Sequence, residues 1–134
     1  MLTRVGALSS AARRAPSASH VLRRSMASSR VAVCGNEDTF TAATKSEAGS
    51  IVYFTASWCG PCRMISPIFD ELATANATGA TFLKVDVDDM PEVAAAAQVS
   101  AMPTFQFFKA GQLLDKIVGA DAAKLTELAG KHLS

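Results

Sequence analysis

The sequence has few cysteines and no long uncharged run, and both absences exclude classes of protein. Only three of its 134 residues are cysteines, and an odd number with one close pair does not resemble the disulfide framework of a small secreted protein. The longest uncharged stretch, residues 93–108, contains a proline and is shorter than the ~20 apolar residues that a membrane-spanning helix needs. We therefore expect neither a secreted disulfide scaffold nor a membrane protein.

Acidic residues are absent from residues 1–30, which contain six arginines and many serines and alanines. A segment of this composition at the N-terminus is typical of an organelle transit peptide, and a disordered basic tail is the alternative. We therefore predict a transit peptide at 1–30 and one globular domain at 31–134. Mitochondrial and chloroplast signals share this composition. We expect the mitochondrial matrix, with the chloroplast stroma as the alternative.

Basic residues do not dominate the rest of the chain. Residues 31–134 hold 7 of the 13 basic residues (13 − 6) and all 12 acidic ones, so their formal net charge is −5 (7 − 12). A domain with this charge does not resemble a nucleic-acid-binding protein. The chain is 49% hydrophobic, and its length suits a single core.

Two of the three cysteines belong to the motif Trp58-Cys59-Gly60-Pro61-Cys62. An aliphatic and aromatic run precedes the motif, and apolar residues at helical spacing follow it. This order places both sulfurs at a helix N-terminus, where the helix dipole and free N–H groups stabilise a thiolate. A thiolate beside a second thiol exchanges disulfides. The motif therefore predicts a redox-active cysteine pair.

Two other uses of a cysteine pair fit the sequence poorly. A structural zinc site needs four ligands, and residues 31–134 offer only Cys34 and His132 as further sulfur or imidazole ligands. A c-type haem motif needs a histidine directly after the second cysteine, where this chain has Arg63. We therefore expect no metal and no bound cofactor. Cys34 fits a small core residue, with a regulatory or dimerising thiol as the alternative, and His132 fits a helix-end cation.

Hydrophobic periodicity and turn residues predict alternating strands and helices. The predicted strands are 31–34, 51–55, 81–87, 104–108 and 113–118. The predicted helices are 37–48 capped by Asn36 or Asp38, one from Cys62 to Gly79 that contains Pro67, 91–97, and a last one capped by Asp121. Crossovers between the early strands imply parallel pairing, and the last two strands suggest an antiparallel hairpin.

These features together resemble thioredoxin over residues 31–133. The resemblance is carried, in chain order, by the 58–62 motif, Pro67, Lys84 with Asp86 and Asp88, Met102-Pro103-Thr104, Lys109 with Gly111, and Val118-Gly119-Ala120. The runs 52–58 and 118–121, together with the basic leader, look most like the mitochondrial o-type of plants and algae. The resemblance implies an α/β thioredoxin fold, with a central mixed sheet of about five strands flanked by about four helices.

The resemblance also implies the function, a protein-disulfide reductase that contributes to cell redox homeostasis. Cys59, the more exposed cysteine in this family, is expected to attack a target disulfide, and Cys62 to resolve the mixed disulfide. The implied partners are an NADPH-dependent thioredoxin reductase as electron donor and targets such as peroxiredoxins, and the implied state is a monomer. A disulfide oxidase or isomerase and a non-catalytic binding module are the rival functions. The Gly-Pro pair between the cysteines disfavours the first, and the intact cysteine pair disfavours the second.

Three residues of the motif are expected to shape the site. Gly60 and Pro61 set the turn between the cysteines, and their presence resembles the strongly reducing members of the family. A plain first-turn proline is the alternative at Pro61. Trp58 is expected to pack beside the site and shield it, with an ordinary aromatic contact as the alternative.

Three residues outside the motif are expected to bind substrate together with Trp58. The resemblance implies a cis peptide bond between Met102 and Pro103, which would expose the Met102 backbone to an extended substrate strand. Gly119 is expected to leave room for that strand. A proline at the start of a strand and a turn glycine are the alternatives at Pro103 and Gly119.

The chain departs from the usual family pattern at Tyr53. Many thioredoxins carry a buried aspartate six residues before the first cysteine, and that aspartate helps to deprotonate the second one. A phenol is a poor base near neutral pH. We hypothesise that Lys84, or water held by Tyr53 and Lys84, forms a proton relay. The alternative is that Tyr53 only fills volume. Thr55 stands where many members have tryptophan, which predicts weaker shielding of the site.

Overall fold

The computed structural model describes residues 30–134, which form a β-sheet with helices on both faces. The strands are β1 (Ala32–Val33), β2 (Ser50–Thr55), β3 (Thr81–Asp86), β4 (Thr104–Lys109) and β5 (Gln112–Val118). The helices are α1 (Glu37–Thr44), α2 (Gly60–Ala75), α3 (Pro91–Ala96) and α4 (Ala122–Leu133). Within this part of the chain, no helix is long and apolar enough to cross a membrane. The predicted transit peptide lies outside the described residues apart from Arg30, and it stays a prediction.

The strands are arranged in the order β1-β3-β2-β4-β5. β3 pairs in parallel with β1 and β2, whereas β4 pairs antiparallel with β2 and β5. The predicted parallel start and antiparallel hairpin are therefore confirmed. In the β2–β4 register Phe54 is opposite Thr104. The segment that follows β2 therefore lies beside the segment that precedes β4.

Alternate residues of the central strands bury their side chains in two different clusters. Ile51 and Tyr53 of β2 belong to a cluster with apolar residues of α2 and α4. Val52 and Phe54 belong to the cluster on the other face, with Cys34 and with Ala43 of α1. All six residues of β2 are buried, because strands lie on both of its edges and helices cover both of its faces.

Short-range signals in the sequence set the starts of the helices. Asn36 Oδ1 accepts the Thr39 N–H at 2.9 Å, and Asp121 Oδ1 accepts the Lys124 N–H at 3.0 Å, so both predicted caps are confirmed. Pro91 occupies the first position of α3, where its missing N–H costs no helical hydrogen bond. Pro67 lies inside α2, as predicted.

Two predicted helix ends and the length of the first strand are wrong. α1 ends at Thr44 instead of residue 48, because residues 47–48 form a turn and Gly49, at φ +96°, leads the chain into β2. α2 ends at Ala75, before Gly79, because Asn76 Oδ1 accepts the N–H groups of Thr78 and Ala80 at 3.1 and 3.2 Å. β1 spans only 32–33, although the Cys34 N–H still donates to the Lys84 carbonyl at 2.9 Å.

Candidate active site

The cysteine motif connects the end of β2 to the start of α2. The buried strand β2 fixes the position of the loop, and the Cys59 N–H donates to the Ala56 carbonyl at 3.1 Å. Cys59 is the N-cap of α2, and its Sγ accepts the Cys62 N–H at 3.2 Å. Pro61 lies in the first turn of the helix. The predicted placement of both sulfurs at a helix N-terminus is therefore confirmed.

Cys59 and Cys62 form a disulfide, and their Cα atoms are 5.4 Å apart. Cys59 is 4% exposed and Cys62 is 2% exposed. Both residues are buried, since they pack in the cluster between β2, α2 and α4, and the greater exposure expected for Cys59 stays a prediction. Only a small part of Cys59 is open to a target in this oxidised form.

The start of α2 provides a favourable electrostatic environment for a sulfur anion. The first turn of the helix contains no acidic residue, and the Cys62 N–H points at Cys59 Sγ. The helix dipole and this hydrogen bond stabilise a thiolate at Cys59 once the disulfide is reduced. Cys59 therefore has the surroundings of an attacking sulfur.

The loop before β4 carries the predicted cis peptide bond between Met102 and Pro103. Because Thr104 is opposite Phe54, this loop lies beside the segment between β2 and the cysteines. The Gly119 N–H donates to the Pro103 carbonyl at 2.8 Å, so the predicted substrate-binding residues Pro103 and Gly119 are neighbours. Gly119 has φ +112° and nothing within 4 Å of the place where a side chain would begin. Both the turn geometry and the open space are therefore present.

Trp58 lies on the surface at the start of the motif. The residue is 65% exposed, and its Nε1 donates to Asp88 Oδ2 at 3.0 Å. This hydrogen bond holds the indole on the surface toward the turn after β3. Trp58 therefore presents an exposed aromatic surface at the start of the motif, and its expected role as a shield of the cysteines stays a prediction.

Tyr53 reaches the backbone of the resolving cysteine from the strand below. Its hydroxyl lies 3.0 Å from the Cys62 carbonyl oxygen and 2.8 Å from Ser66 Oγ. Ser66 Oγ also donates to the Cys62 carbonyl, at 2.9 Å. The Tyr53 ring is stacked on Phe105, with ring centroids 4.8 Å apart. Two hydroxyls therefore hold the first turn of α2 at Cys62.

A cavity of about 260 Å³ adjoins Cys62 on the side of β3. Lys84 lines the cavity, and Tyr53 is its partner in the parallel β2–β3 register. The other lining residues are Thr55, Ala56, Ser57, Cys62, Arg63, Ser66 and Asp86. The structure thus brings the two proposed relay residues into neighbouring positions, and the relay itself stays a prediction.

Sequence reasoning missed Ser66 and gave Asp86 no role. Ser66 is four residues after Cys62, and a serine at this helical spacing commonly bonds back to the carbonyl four residues before it. That spacing was the available signal. In the sequence Asp86 belongs only to the pattern that resembles the family, and its place in the Cys62 cavity follows from the pairing of β2 with β3.

The two residues considered as further zinc ligands lie in other environments. Cys34 is buried in the cluster on the opposite face of the sheet from Cys59 and Cys62. His132, in the last turn of α4, is 3.3 Å from Asp115 Oδ2. Within residues 30–134 no three His, Cys, Asp or Glu side chains are grouped to hold a metal ion.

Comparison with known proteins agrees with this geometry. The family model named Thioredoxin matches residues 31–131. An H-type thioredoxin of rice (Oryza sativa subsp. indica) is 52% identical over 107 residues, which cover 77% of this chain and 87% of the relative.

Two solved structures extend the comparison to the fold. Oxidised thioredoxin O2 of Arabidopsis thaliana is 37% identical with a TM-score of 0.70, and the match covers 79% of this chain and 96% of that one. A chain from a study of thiol resolution in yeast mitochondrial 1-Cys peroxiredoxin via glutathione/thioredoxin systems is 34% identical with a TM-score of 0.71. That match covers 77% of this chain and 98% of the other.

These matches confirm the predicted thioredoxin fold and the redox use of the cysteine pair, but they do not confirm the o-type. The rice relative, at 52% identity, is H-type, whereas the Arabidopsis structure at 37% identity is thioredoxin O2. The chain belongs to the thioredoxin family and is a thiol–disulfide oxidoreductase that acts through Cys59 and Cys62.

Proposed function

We propose that this protein reduces disulfides of target proteins in the mitochondrial matrix, with Cys59 as the nucleophile and Cys62 as the resolving cysteine. The observation that carries this assignment is the position of Cys59 as the N-cap of α2, with its sulfur facing the Cys62 N–H at 3.2 Å. Cys62 lies inside the first turn and is held there through its carbonyl. Cys59 is therefore the better placed of the two cysteines to attack a target disulfide.

The exchange proceeds in two displacements. The Cys59 thiolate attacks one sulfur of the target disulfide, which forms a mixed disulfide and releases the other target sulfur as a thiolate. The Cys62 sulfur then attacks Cys59 Sγ, forms the disulfide seen in this structure, and releases the second target thiol. The protein is oxidised by two electrons, and the target is reduced by two.

The surface around the motif suits an extended target segment. Trp58 offers an exposed aromatic face, and Met102 precedes the cis bond at the rim of the site. Gly119 leaves space beside Pro103. A target strand that pairs with the Met102 backbone would bring its disulfide toward Cys59.

The cellular setting is part of the same proposal. The acid-free, Arg-rich residues 1–30 support import into mitochondria, and the run 52–58 with Tyr53 supports the o-type. The chloroplast stroma is the alternative location. An NADPH-dependent thioredoxin reductase would return electrons to the pair, and the protein would act as a monomer. The similarity to a chain from the yeast mitochondrial peroxiredoxin study supports peroxiredoxins as targets.

Cysteine trapping tests the two roles. With NADPH and a thioredoxin reductase, the full chain should reduce insulin disulfides, and Cys59→Ser and Cys62→Ser should both abolish turnover. Cys62→Ser should accumulate disulfide-linked targets from a mitochondrial extract, and Cys59→Ser should accumulate none. Covalent trapping by Cys59→Ser but not by Cys62→Ser would reverse the roles.

The midpoint potential of the cysteine pair tests the direction of the reaction. A value near about −270 mV, which is known for thioredoxin itself, fits a reductant. A value at or above about −180 mV would favour disulfide donation or isomerisation. A fluorescent protein fused after residue 30 should enter mitochondria, and its accumulation in chloroplasts would support the alternative location.

A further inference from the structure

The cavity beside Cys62 contains charged groups that the two displacements do not use. Its volume of about 260 Å³ has room for several water molecules, each of which occupies about 30 Å³ in the liquid. Two cations, Lys84 and Arg63, and one carboxylate, Asp86, line it together with the Ser66 hydroxyl. Charged and hydroxyl side chains in the wall favour hydration. Cys62 is 2% exposed and nevertheless borders a space lined by charged side chains.

Asp86 is held in place through only one of its two carboxylate oxygens. Oδ1 accepts the Asp88 N–H at 2.9 Å and the Asp89 N–H at 3.4 Å, which fixes the side chain at the turn after β3. Oδ2 has no hydrogen-bond or ion-pair partner among residues 30–134. The carboxylate is therefore positioned and retains one free oxygen that can take a proton.

Tyr53 is less suited to accept a proton. Its hydroxyl is already shared between the Cys62 carbonyl and Ser66 Oγ, and Ser66 lines the cavity whereas Tyr53 does not. A phenol is also a weak base near neutral pH. The contacts of Tyr53 instead fix the helical turn that carries Cys62.

We propose that Asp86 accepts, through water in the cavity, the proton that Cys62 loses as it resolves the mixed disulfide, and that Ser66 and Lys84 position this water. The inference rests on the proposed function, since it concerns the second displacement. The Cys62 sulfur bonds to Cys59 Sγ, the bond between Cys59 and the target sulfur breaks, and the target leaves as a thiolate. The Cys62 proton passes to Asp86 and from there to solvent or to the released thiolate.

The timing of the transfer makes a carboxylate an adequate base. A carboxylate takes a proton from a free thiol only weakly. The S–H group becomes far more acidic as its sulfur bonds to Cys59, so the proton can move while that bond forms. Asp86 therefore acts within the second displacement and does not need to ionise Cys62 beforehand.

The charges around Cys62 predict two opposite effects of Asp86→Asn. Lys84 and Arg63 stabilise a Cys62 thiolate, whereas Asp86 disfavours it, and Cys59 and Tyr53 are the other titratable groups nearby. Removing the carboxylate should lower the pKa of Cys62 in the reduced protein. The same variant should resolve mixed disulfides more slowly. A merely structural role of Asp86 would not produce a more acidic thiol that reacts more slowly.

A single-turnover reaction with dithiobis(nitrobenzoate) separates the two displacements. The full chain is used with Cys34→Ala, so that only Cys59 and Cys62 react. The first release of nitrothiobenzoate depends on reagent concentration, and the second, which reports attack by Cys62, does not. Asp86→Asn should slow the second phase about tenfold near pH 7 and leave the first phase unchanged. This effect is smaller than the roughly 10²–10⁴-fold that a general base typically contributes, because water can replace the missing carboxylate. Asp89→Asn, a neighbouring charge outside the cavity, is the control and should change neither phase.

The outcomes distinguish the assignment from the proposed function. If the Cys34→Ala protein shows both phases and its Asp86→Asn and Asp89→Asn variants have the same second-phase rate, the assignment to Asp86 is wrong and the function stands. If the Cys34→Ala protein shows no second phase, the proposed function fails. If Asp86→Asn perturbs folding, Asp86→Glu decides the question. Recovery of the second phase with the longer carboxylate supports the assignment, and a second phase as slow as that of Asp86→Asn overturns it.

Discussion

Replacing Tyr53 by phenylalanine removes one buried hydroxyl and keeps the ring. The Cys62 carbonyl loses a donor at 3.0 Å but retains Ser66 Oγ at 2.9 Å, and Ser66 retains the carbonyl as its partner. No buried polar group is therefore left unpaired, and the free energy of unfolding should fall by about 0.5–1.5 kcal/mol, the usual value for one hydrogen bond. Tyr53→Ala, which also removes the ring stacked on Phe105, should cost about 3–5 kcal/mol. Urea unfolding of the oxidised protein measures both.

Companion variants show whether the two hydroxyls act as partners. Ser66→Ala should cost about as much as Tyr53→Phe, and the double variant should cost less than the sum, because the contact between Tyr53 and Ser66 is lost in each single variant and is counted twice in the sum. Thr74→Ala is the control, since its hydroxyl makes the same type of bond, to the Asp70 carbonyl at 3.0 Å, on an exposed turn of α2. It should change stability by no more than about 0.5 kcal/mol. A cost above about 3 kcal/mol for Tyr53→Phe would refute this reasoning. So would a Tyr53→Phe protein whose second phase in the single-turnover reaction is as slow as that of Asp86→Asn.

Three further substitutions test other parts of the molecule. The Lys116 N–H and then the His132 ring lower the pKa of Asp115 below its ordinary value of 3.8. The stability that this carboxylate contributes is therefore complete above pH 3.8 and is lost as the pH falls through the lowered pKa. Asp115→Asn should therefore weaken the acid dependence of unfolding below about pH 4, and an unchanged acid limb would contradict the assignment. Gly49→Ala should cost about 2–5 kcal/mol in urea unfolding, because φ is +96° and the new carbon would overlap Leu133. Its control, Gly79→Ala, has φ +83° and open space, so it should cost only about 1–2 kcal/mol. Cys34→Ala should leave insulin reduction unchanged because Cys34 lies on the other face of the sheet, and a large loss of activity would favour a regulatory thiol.

The sequence predicted the starts of helices better than their ends, because the starts depend on neighbouring residues. Asn36 and Asp121 each bind an N–H three residues ahead, so a short window contains the whole signal. The end of α2 depends on Asn76, whose Oδ1 binds the nearby Thr78 and Ala80 N–H groups and whose Nδ2 donates to the Leu133 carbonyl at 3.1 Å, 57 residues away in the chain. The turn at Gly49 is likewise packed against Leu133. No local pattern identifies such a distant partner.

The same distinction separates the predicted and the missed parts of the site. The cysteine pair and the cis proline could be placed because each belongs to a short motif. The exposed position of Trp58 could not be predicted, because its hydrogen bond to Asp88 requires the ends of β2 and β3 to lie side by side. The cavity shared by Cys62 and Asp86 depends on the same pairing. Strand register, and not residue type, therefore limited the prediction.

Tyr53 fixes the helical turn at Cys62, and Asp86 in the charged cavity accepts the proton. A single buried carboxylate would combine these two tasks. An ion in the core beside Phe105 would lose its hydration at a cost of several kcal/mol unless it were paired. The phenol of Tyr53 fills that position without charge, and two hydrogen-bond partners satisfy it. The ionised groups lie instead on β3 and α2, around a space with room for water. Changes at Tyr53 should therefore alter mainly stability, and changes at Asp86 should alter mainly the rate of resolution. With one buried acid in both roles, a substitution would alter stability and rate together.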